Sequence, residues 1–278
     1  MPNIEHVLIS YGDDISYHLG AKAQILKSWK KWYSNKNISI SIVTDKPELF
    51  NDFPARTLVI DQDALLRWSC DGSYKFGIKI KAFQWAIETG VADIYILQDV
   101  DMFWIKPPLD LVSKISANCA VMYKDEGLIN SKNKNGIRFF NSLSGKKIQF
   151  KNGSYELSKN SRMIGSATIG IAARNYHLLS DIYDLFLKMS PLVNAHTVEQ
   201  FCFAEIFRIN NVKLIFSSKY LQDWSTSGKK NYVAPLLHQF FSKCGQLSFS
   251  KQVYEIENLS FSRPLKFLIR QKLRKVWK

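Results

Sequence analysis

Cysteine, long apolar runs and acidic residues are all in short supply in this chain. The four cysteines, Cys70, Cys119, Cys202 and Cys244, stand far apart with no Cys-x-x-Cys pair, which argues against a zinc framework or a disulfide scaffold. A reducing, cytosolic setting is the simplest expectation. No run approaches the roughly 18 apolar residues of a membrane-spanning helix, and the opening MPNIEHVLISYG lacks the basic region and apolar core of an export signal. The expected place is therefore the cytoplasm, neither exported by a standard signal nor integral to a membrane. Acids number 24 against 38 Lys and Arg, leaving a net charge of +14 and implying an anionic partner.

What is present is ample for a core: 46% of the 278 residues are hydrophobic, enough for one large α/β domain. The basic excess is concentrated. Residues 263 to 278 carry seven Lys and Arg and no acid, and residues 124 to 162 carry nine against three acids. The latter segment, rich in Lys, Asn, Ser and Gly, is expected to be a long mobile lid or acceptor excursion rather than regular core. The rest of 1 to 260 is expected to form one domain.

Strand and helix patterns alternate through the first hundred residues. HVLIS (6 to 10), ISISIV (38 to 43), TLVID (57 to 61) and DIYIL (93 to 97) read as strands. Leu19, Ala23, Leu26 and Trp29 recur at helical spacing, as do Phe76, Ile80, Phe83 and Ile87 with Gly90 placed to end that helix. Such alternation predicts a mixed, mainly parallel sheet with helices on both faces. Ligands of such sheets bind outside the carboxyl ends of the strands, where Tyr11, Asp45, Asp99 and Asp101 would gather. Further on, GSATIGIAA (165 to 173) and KLIFSS (213 to 218) read as strands, and a helix runs through Leu179, Ile182, Leu185 and Met189 to Pro191. YVAPLLHQF (232 to 240) and VYEIENLSF (253 to 261) are expected to be strands or loops.

The sharpest local feature is YILQDVDMFW, residues 95 to 104, in which two aspartates interrupt an apolar run. An unpaired buried carboxylate is costly, so a cation is expected beside them, and hard oxygen ligands suit Mg or Mn carrying a substrate phosphate. Asp-x-Asp alone says little, because fifteen aspartates in 278 residues give roughly one copy by chance. Asp61-Gln-Asp63 is a second copy, and there Asp63 fits a helix N-cap.

The block KFGIKIKAFQWAIETGVADIYILQDVDMFWIKP resembles metal-dependent glycosyltransferases of the GT-A (Rossmann-like) fold, in which a lysine-bearing helix precedes the strand ending in Asp-x-Asp. The resemblance implies Mn or Mg on Asp99 and Asp101, with Asp99 also near the donor's ribose, Asp45 facing the base, and Lys79 or Lys81 near the donor. Two more segments are similar to glycosyltransferase family 8, which includes lipooligosaccharide galactosyltransferases. LLHQFFSK would supply His238 as a further metal ligand and Lys243 for the diphosphate. HTVEQF would supply Glu199 and Gln200 beside the donor sugar. The glycine and the Lys-Pro-Trp ending of the family's late motif are missing, since Cys244-Gly245 follows Lys243. From the residues alone, Thr197-Val-Glu-Gln200 is also a capping box, and Gly165 and Gly170 can serve close packing.

The implied activity is transfer of a hexose from a nucleotide diphosphate sugar, taken to be UDP-linked, to a glycan or glycolipid acceptor of surface polysaccharide. Gln200 would line the reacting face if configuration is retained. An inverting route needs a carboxylate base, for which Glu199 and Asp223 are candidates. In SRPLKFLIRQKLRKVWK, Leu265, Leu268, Ile269, Leu273, Val276 and Trp277 fall on one helical face opposite the cations. That pattern predicts a basic amphipathic helix over 261 to 278, holding the protein peripherally to an anionic membrane. Two other classes remain. A nucleotidyltransferase would need a Gly-rich, Arg-containing phosphate loop that the N-terminus lacks. A nucleic-acid binder would use the basic segments but would leave Asp99 and Asp101 repelling phosphate.

Overall fold

The computed structural model describes residues 2–130, 132–134, 136–265 and 267. Apolar and β-branched strands sink first. β1 (Ile4–Ser10), β2 (Ile38–Thr44), β3 (Arg56–Val59) and β4 (Ile94–Gln98) form the parallel half of a sheet. They are joined through helices α1 (Ile15–Ser28), α2 (Gln62–Trp68) and α3 (Gly77–Glu88). Beyond β4 come β5 (Met102–Trp104), α4 (Leu109–Val112), β6 (Cys119–Leu128), α5 (Ile137–Leu143), β7 (Lys147–Phe150), β8 (Gly153–Glu156) and β9 (Arg162–Ala172). The described chain continues through α6 (Leu178–Met189), α7 (Val198–Ile209), β10 (Lys213–Phe216), β11 (Leu221–Asp223), α8 (Ser227–Cys244) and α9 (Phe249–Glu257).

The central sheet has seven strands in the order β10-β6-β9-β4-β1-β2-β3. Only β9 runs against its neighbours, β4 and β6, so the sheet is the mixed, mainly parallel one expected. One face packs beneath α3, α6 and α7, with Phe83, Leu179, Leu185, Phe201 and Phe207 in a continuous core. The other face packs beneath α1, α8 and α9, with Leu26, Trp104, Leu237 and Ile256. Helix α7 is buried on every side from Val198 to Phe207, and each of its phenylalanines contributes about 1.5–3 kcal/mol by leaving water.

Packing also aims the turn after β4. A Cβ on Gly20 of α1 would stand 2.9 Å from the carbonyl oxygen of Val100 and 3.2 Å from the Trp224 ring. A glycine there lets the helix rest directly on the Asp99-Val-Asp101 turn. Beneath the turn, His6 bonds Gln98 at 2.9 Å and the Tyr33 hydroxyl at 2.8 Å. Complete burial drives the His6 imidazole down to about 3, against a smaller opposing effect of Gln98, and keeps it neutral.

Several expectations are corrected. Residues 232 to 240 lie in α8, because Val233, Leu237 and Phe240 bury one helical face despite Pro235 in the interior. Residues 253 to 261 begin inside α9, which buries Gln252, Val253 and Ile256 at the same period. The 124 to 162 segment is not irregular: it holds the end of β6, α5 and the β7–β8 hairpin, with Phe139, Leu143, Ile148 and Tyr155 buried against the core. Its low hydrophobicity hid four well-spaced anchors. The third strand stops at Val59, and Asp61 rather than Asp63 caps α2, its carboxylate accepting the Ala64 N–H at 2.6 Å. Of the expected helix over 261 to 278, residues 266 and 268 to 278 lie outside the described residues, and residues 261 to 264 are not helical.

Candidate active site

β4 ends at Gln98, the Asp99 N–H donates to the Ala167 carbonyl at 2.9 Å, and the chain turns through Val100 and Asp101 into β5. Both carboxylates find a cation, and it is lysine. Lys79 lies 2.7 Å from Asp99, and Lys230 lies 3.1 Å from Asp101, whose side chain is only 12% exposed. Burial, and next the Asp99 charge, push the Asp101 carboxyl above its usual range, while Lys230 and Lys79 oppose the rise. Lys230 escaped the sequence reading. The available signal was the Lys229-Lys230 pair just past Asp223 at the start of α8.

Lys79 is only 11% exposed, and its ammonium also donates to the Ser166 carbonyl at 2.8 Å and hydroxyl at 3.2 Å. The Ser166 hydroxyl in turn donates to Glu199 Oε1 at 3.0 Å. A polar chain therefore runs from the Asp-x-Asp turn to the start of α7. Burial raises the Glu199 carboxyl to about 7, with Lys79 and then Ser166 pulling the other way. Among the described residues, Glu199 Oε2 and Gln200 Nε2 are buried without a hydrogen-bond partner. Thr197 makes no side-chain cap bond, so the capping box is not formed and does not account for Gln200. The Tyr74 hydroxyl fixes this helix start instead, donating to the Ala195 carbonyl at 2.8 Å and accepting the Val198 N–H at 2.9 Å.

Asp223 reaches the same rim through β11, which runs antiparallel to β5 and sets Asp223 opposite Met102. The next residue, Trp224, donates its N–H to the Asp101 carbonyl at 2.9 Å. Lys229 holds the Asp223 carboxylate at 3.1 Å, and the Tyr123 hydroxyl stands 3.5 Å away. Burial raises the Asp223 carboxyl, but its bonds to Lys229 and Ser225 outweigh that, leaving it below the usual range. At the other end, the Asp45 carboxylate accepts the Gly12 N–H at 3.1 and 3.2 Å, tying the ends of β1 and β2 together. Burial raises the Tyr11 hydroxyl to about 12, helped by Tyr17, Asp99 and Asp45, so Tyr11 stays neutral, its hydroxyl donating to the Lys75 carbonyl at 3.3 Å.

Three sequence candidates are not brought here. Lys81 lies elsewhere on α3, donating to Gln84 at 2.9 Å and standing 5.3 Å from the Tyr183 ring. His238 is exposed and meets Ser16 at 3.4 Å. It follows Lys230 by eight residues on one helix, about 12 Å along the axis, and Lys243 follows by thirteen, about 20 Å. Among the described residues no group of three His, Cys, Asp or Glu side chains is placed to hold a metal. Asp99 and Asp101 still fit Mn or Mg. Both are hard oxygen donors, and such ions are commonly held by one or two carboxylates with water and substrate phosphate filling the remaining positions.

No family model and no curated protein matches the sequence. Among solved structures, the chain is similar to the galactosyltransferase LgtC, solved with donor and acceptor sugar analogs, at 6% identity over 95% of this chain and 98% of that one, with a TM-score of 0.55. It is also similar to mouse xyloside xylosyltransferase 1, at 12% identity over 77% of this chain and 84% of that one, with a TM-score of 0.45. The likeness to LgtC bears on the fold, and with the strand order it identifies the GT-A fold.

Proposed function

We propose that the chain is a glycosyltransferase that moves a hexose from a nucleotide diphosphate sugar, UDP-linked in the first instance, to a glycan or glycolipid acceptor. The observation that carries this reading is the Asp99-Val-Asp101 turn at the carboxyl edge of a GT-A sheet, linked through Lys79 and Ser166 to Glu199. Asp99 and Asp101 are the residues that would hold Mn or Mg. The ion would supply Lewis-acid polarisation of the leaving diphosphate.

The remaining roles follow from the side chains. Asp45 and Tyr11 flank the donor's nucleoside end, Asp45 held by the Gly12 N–H. Lys79, held by Ser166, offers fixed positive charge where the diphosphate departs, the place where preorganised charge lowers a barrier most, and Lys230 offers a second positive charge beside it. Glu199 carries a proton below about pH 7 and can donate it in a hydrogen bond to a sugar hydroxyl. The unpartnered amide of Gln200 beside it would face the reacting sugar. If configuration is inverted, Glu199 has the better-matched basicity, because Asp223 is held ionised by Lys229. The basic residues 263 to 278 would keep the enzyme on an anionic membrane beside a lipid-linked acceptor. Their removal should release the protein from anionic vesicles while donor hydrolysis persists, and vesicle binding that survives the deletion refutes the membrane role.

Thermal stabilisation by UDP, with and without Mn, tests the donor site. A shift that needs both supports the transferase. A shift produced by polynucleotide and not by UDP with Mn supports a nucleic-acid binder instead.

A further inference from the structure

We infer that Lys230 is a built-in counter-cation: it occupies Asp101 until a divalent ion takes that carboxylate, and is then handed to the donor's diphosphate. This rests on the nucleotide-sugar reading and adds to it a rule for how ion and donor depend on each other.

The two lysines of the turn differ in their freedom. The Lys79 ammonium is nearly buried and is held by the Ser166 carbonyl and hydroxyl as well as by Asp99, so it stays in place when Asp99 gains a new partner. The Lys230 side chain is 34% exposed. Besides Asp101 Oδ2 at 3.1 Å, it has the Tyr17 ring 5.2 Å away. It stands in the first turn of α8 on a flexible four-carbon stem, so its tip can swing while its backbone stays fixed. A divalent ion bound to the Asp101 carboxylate would repel an ammonium left on it, and Lys230 is the cation free to yield.

Charge counting sets the direction of the effect. Asp99, Asp101, Lys79 and Lys230 sum to zero. A divalent ion alone makes the cluster +2, and a nucleotide sugar's −2 diphosphate restores neutrality, with free UDP adding up to one further negative charge, so ion and nucleotide favour each other's binding. Without the Lys230 charge, the cluster starts at −1. It should then take the ion more readily alone and gain less from the nucleotide. By linkage, the loss of coupling must appear equally in ion titrations with nucleotide and in nucleotide titrations with ion.

The test measures Mn by electron paramagnetic resonance of the free ion and UDP by calorimetry, on the wild-type chain and on Lys230→Met, Lys230→Gln and Lys230→Arg. In the Met and Gln variants, Mn alone should bind about tenfold more tightly and UDP in saturating Mn about tenfold more weakly, the scale of one close charge, while the Arg variant keeps the wild-type coupling. Agreement between Met and Gln, with unchanged circular dichroism, separates loss of charge from loss of fold. Unchanged Mn affinity in both neutral variants overturns the inference while leaving the nucleotide-sugar reading intact, provided that the wild type binds UDP with Mn. A wild type that binds neither overturns both.

Discussion

Glu199 offers a test that needs no substrate. Burial lifts its carboxyl from the ordinary 4.5 to about 7, so the folded chain keeps a proton that the unfolded chain gives up. The associated stability is fully present below pH 4.5 and is lost as pH rises through about 7. A shift of that size corresponds to about 3 kcal/mol. Glu199→Gln preserves shape and the acceptor for Ser166 but does not titrate. Urea unfolding of both proteins at steps from pH 4 to 8 isolates the effect, because His6 and every other common group titrates in both and cancels. The wild-type stability minus that of the variant should fall by about 3 kcal/mol across the window and be level outside it, equivalent to about 5 °C in melting temperature for a chain of this length. A difference that stays level throughout means that Glu199 is already ionised at pH 4.5, and the buried-proton reasoning is then wrong.

Three other perturbations probe the scaffold. His6 has the opposite sign: its folded value of about 3 lies below the ordinary 6.5, so its contribution is present above pH 6.5 and is lost as pH falls toward 3, by up to about 1.4 kcal/mol per pH unit. His6→Asn should flatten that acid limb in the same unfolding series. Gly20→Ala should cost about 1–3 kcal/mol and weaken UDP binding with Mn, because the new methyl meets the Val100 carbonyl at the Asp-x-Asp turn; unchanged stability would show that α1 shifts freely. Arg56 pairs at 2.5 Å with Glu5, whose side chain is 6% exposed. Arg56 is 39% exposed and Ser41 still donates to Glu5, so Arg56→Ala should cost about 1–3 kcal/mol, and adding Glu5→Gln should recover part of it.

Much of this architecture was readable from local sequence, because a parallel sheet needs continuous apolar strands and its ligands gather at one edge. The Asp-x-Asp turn, Tyr11 and Asp45 follow from that logic, while Lys79 came from the family resemblance, and the structure sets Lys79 2.7 Å from Asp99. The Lys229-Lys230 pair was visible, but its partner was not, since Asp101 lies more than a hundred residues earlier and the β5–β11 pairing brings the two segments together. His238 was expected in a strand or loop, whereas one continuous helix carries it and Lys243 and spreads them along its axis. Helix geometry also separates Lys81 from Lys79. Two residues beyond Lys79 on a helix is over half a turn around it, and Lys81 accordingly meets Gln84 and Tyr183.

The central claim is that Asp99 and Asp101 serve a nucleotide diphosphate sugar. Its most direct measurement is release of nucleoside diphosphate from a panel of nucleotide sugars with Mn, comparing the wild-type chain with Asp101→Asn. The account predicts turnover of at least one donor by the wild type and at least about a hundredfold loss in the variant, the scale of removing a group that stabilises developing charge. Equal turnover by both proteins would contradict it.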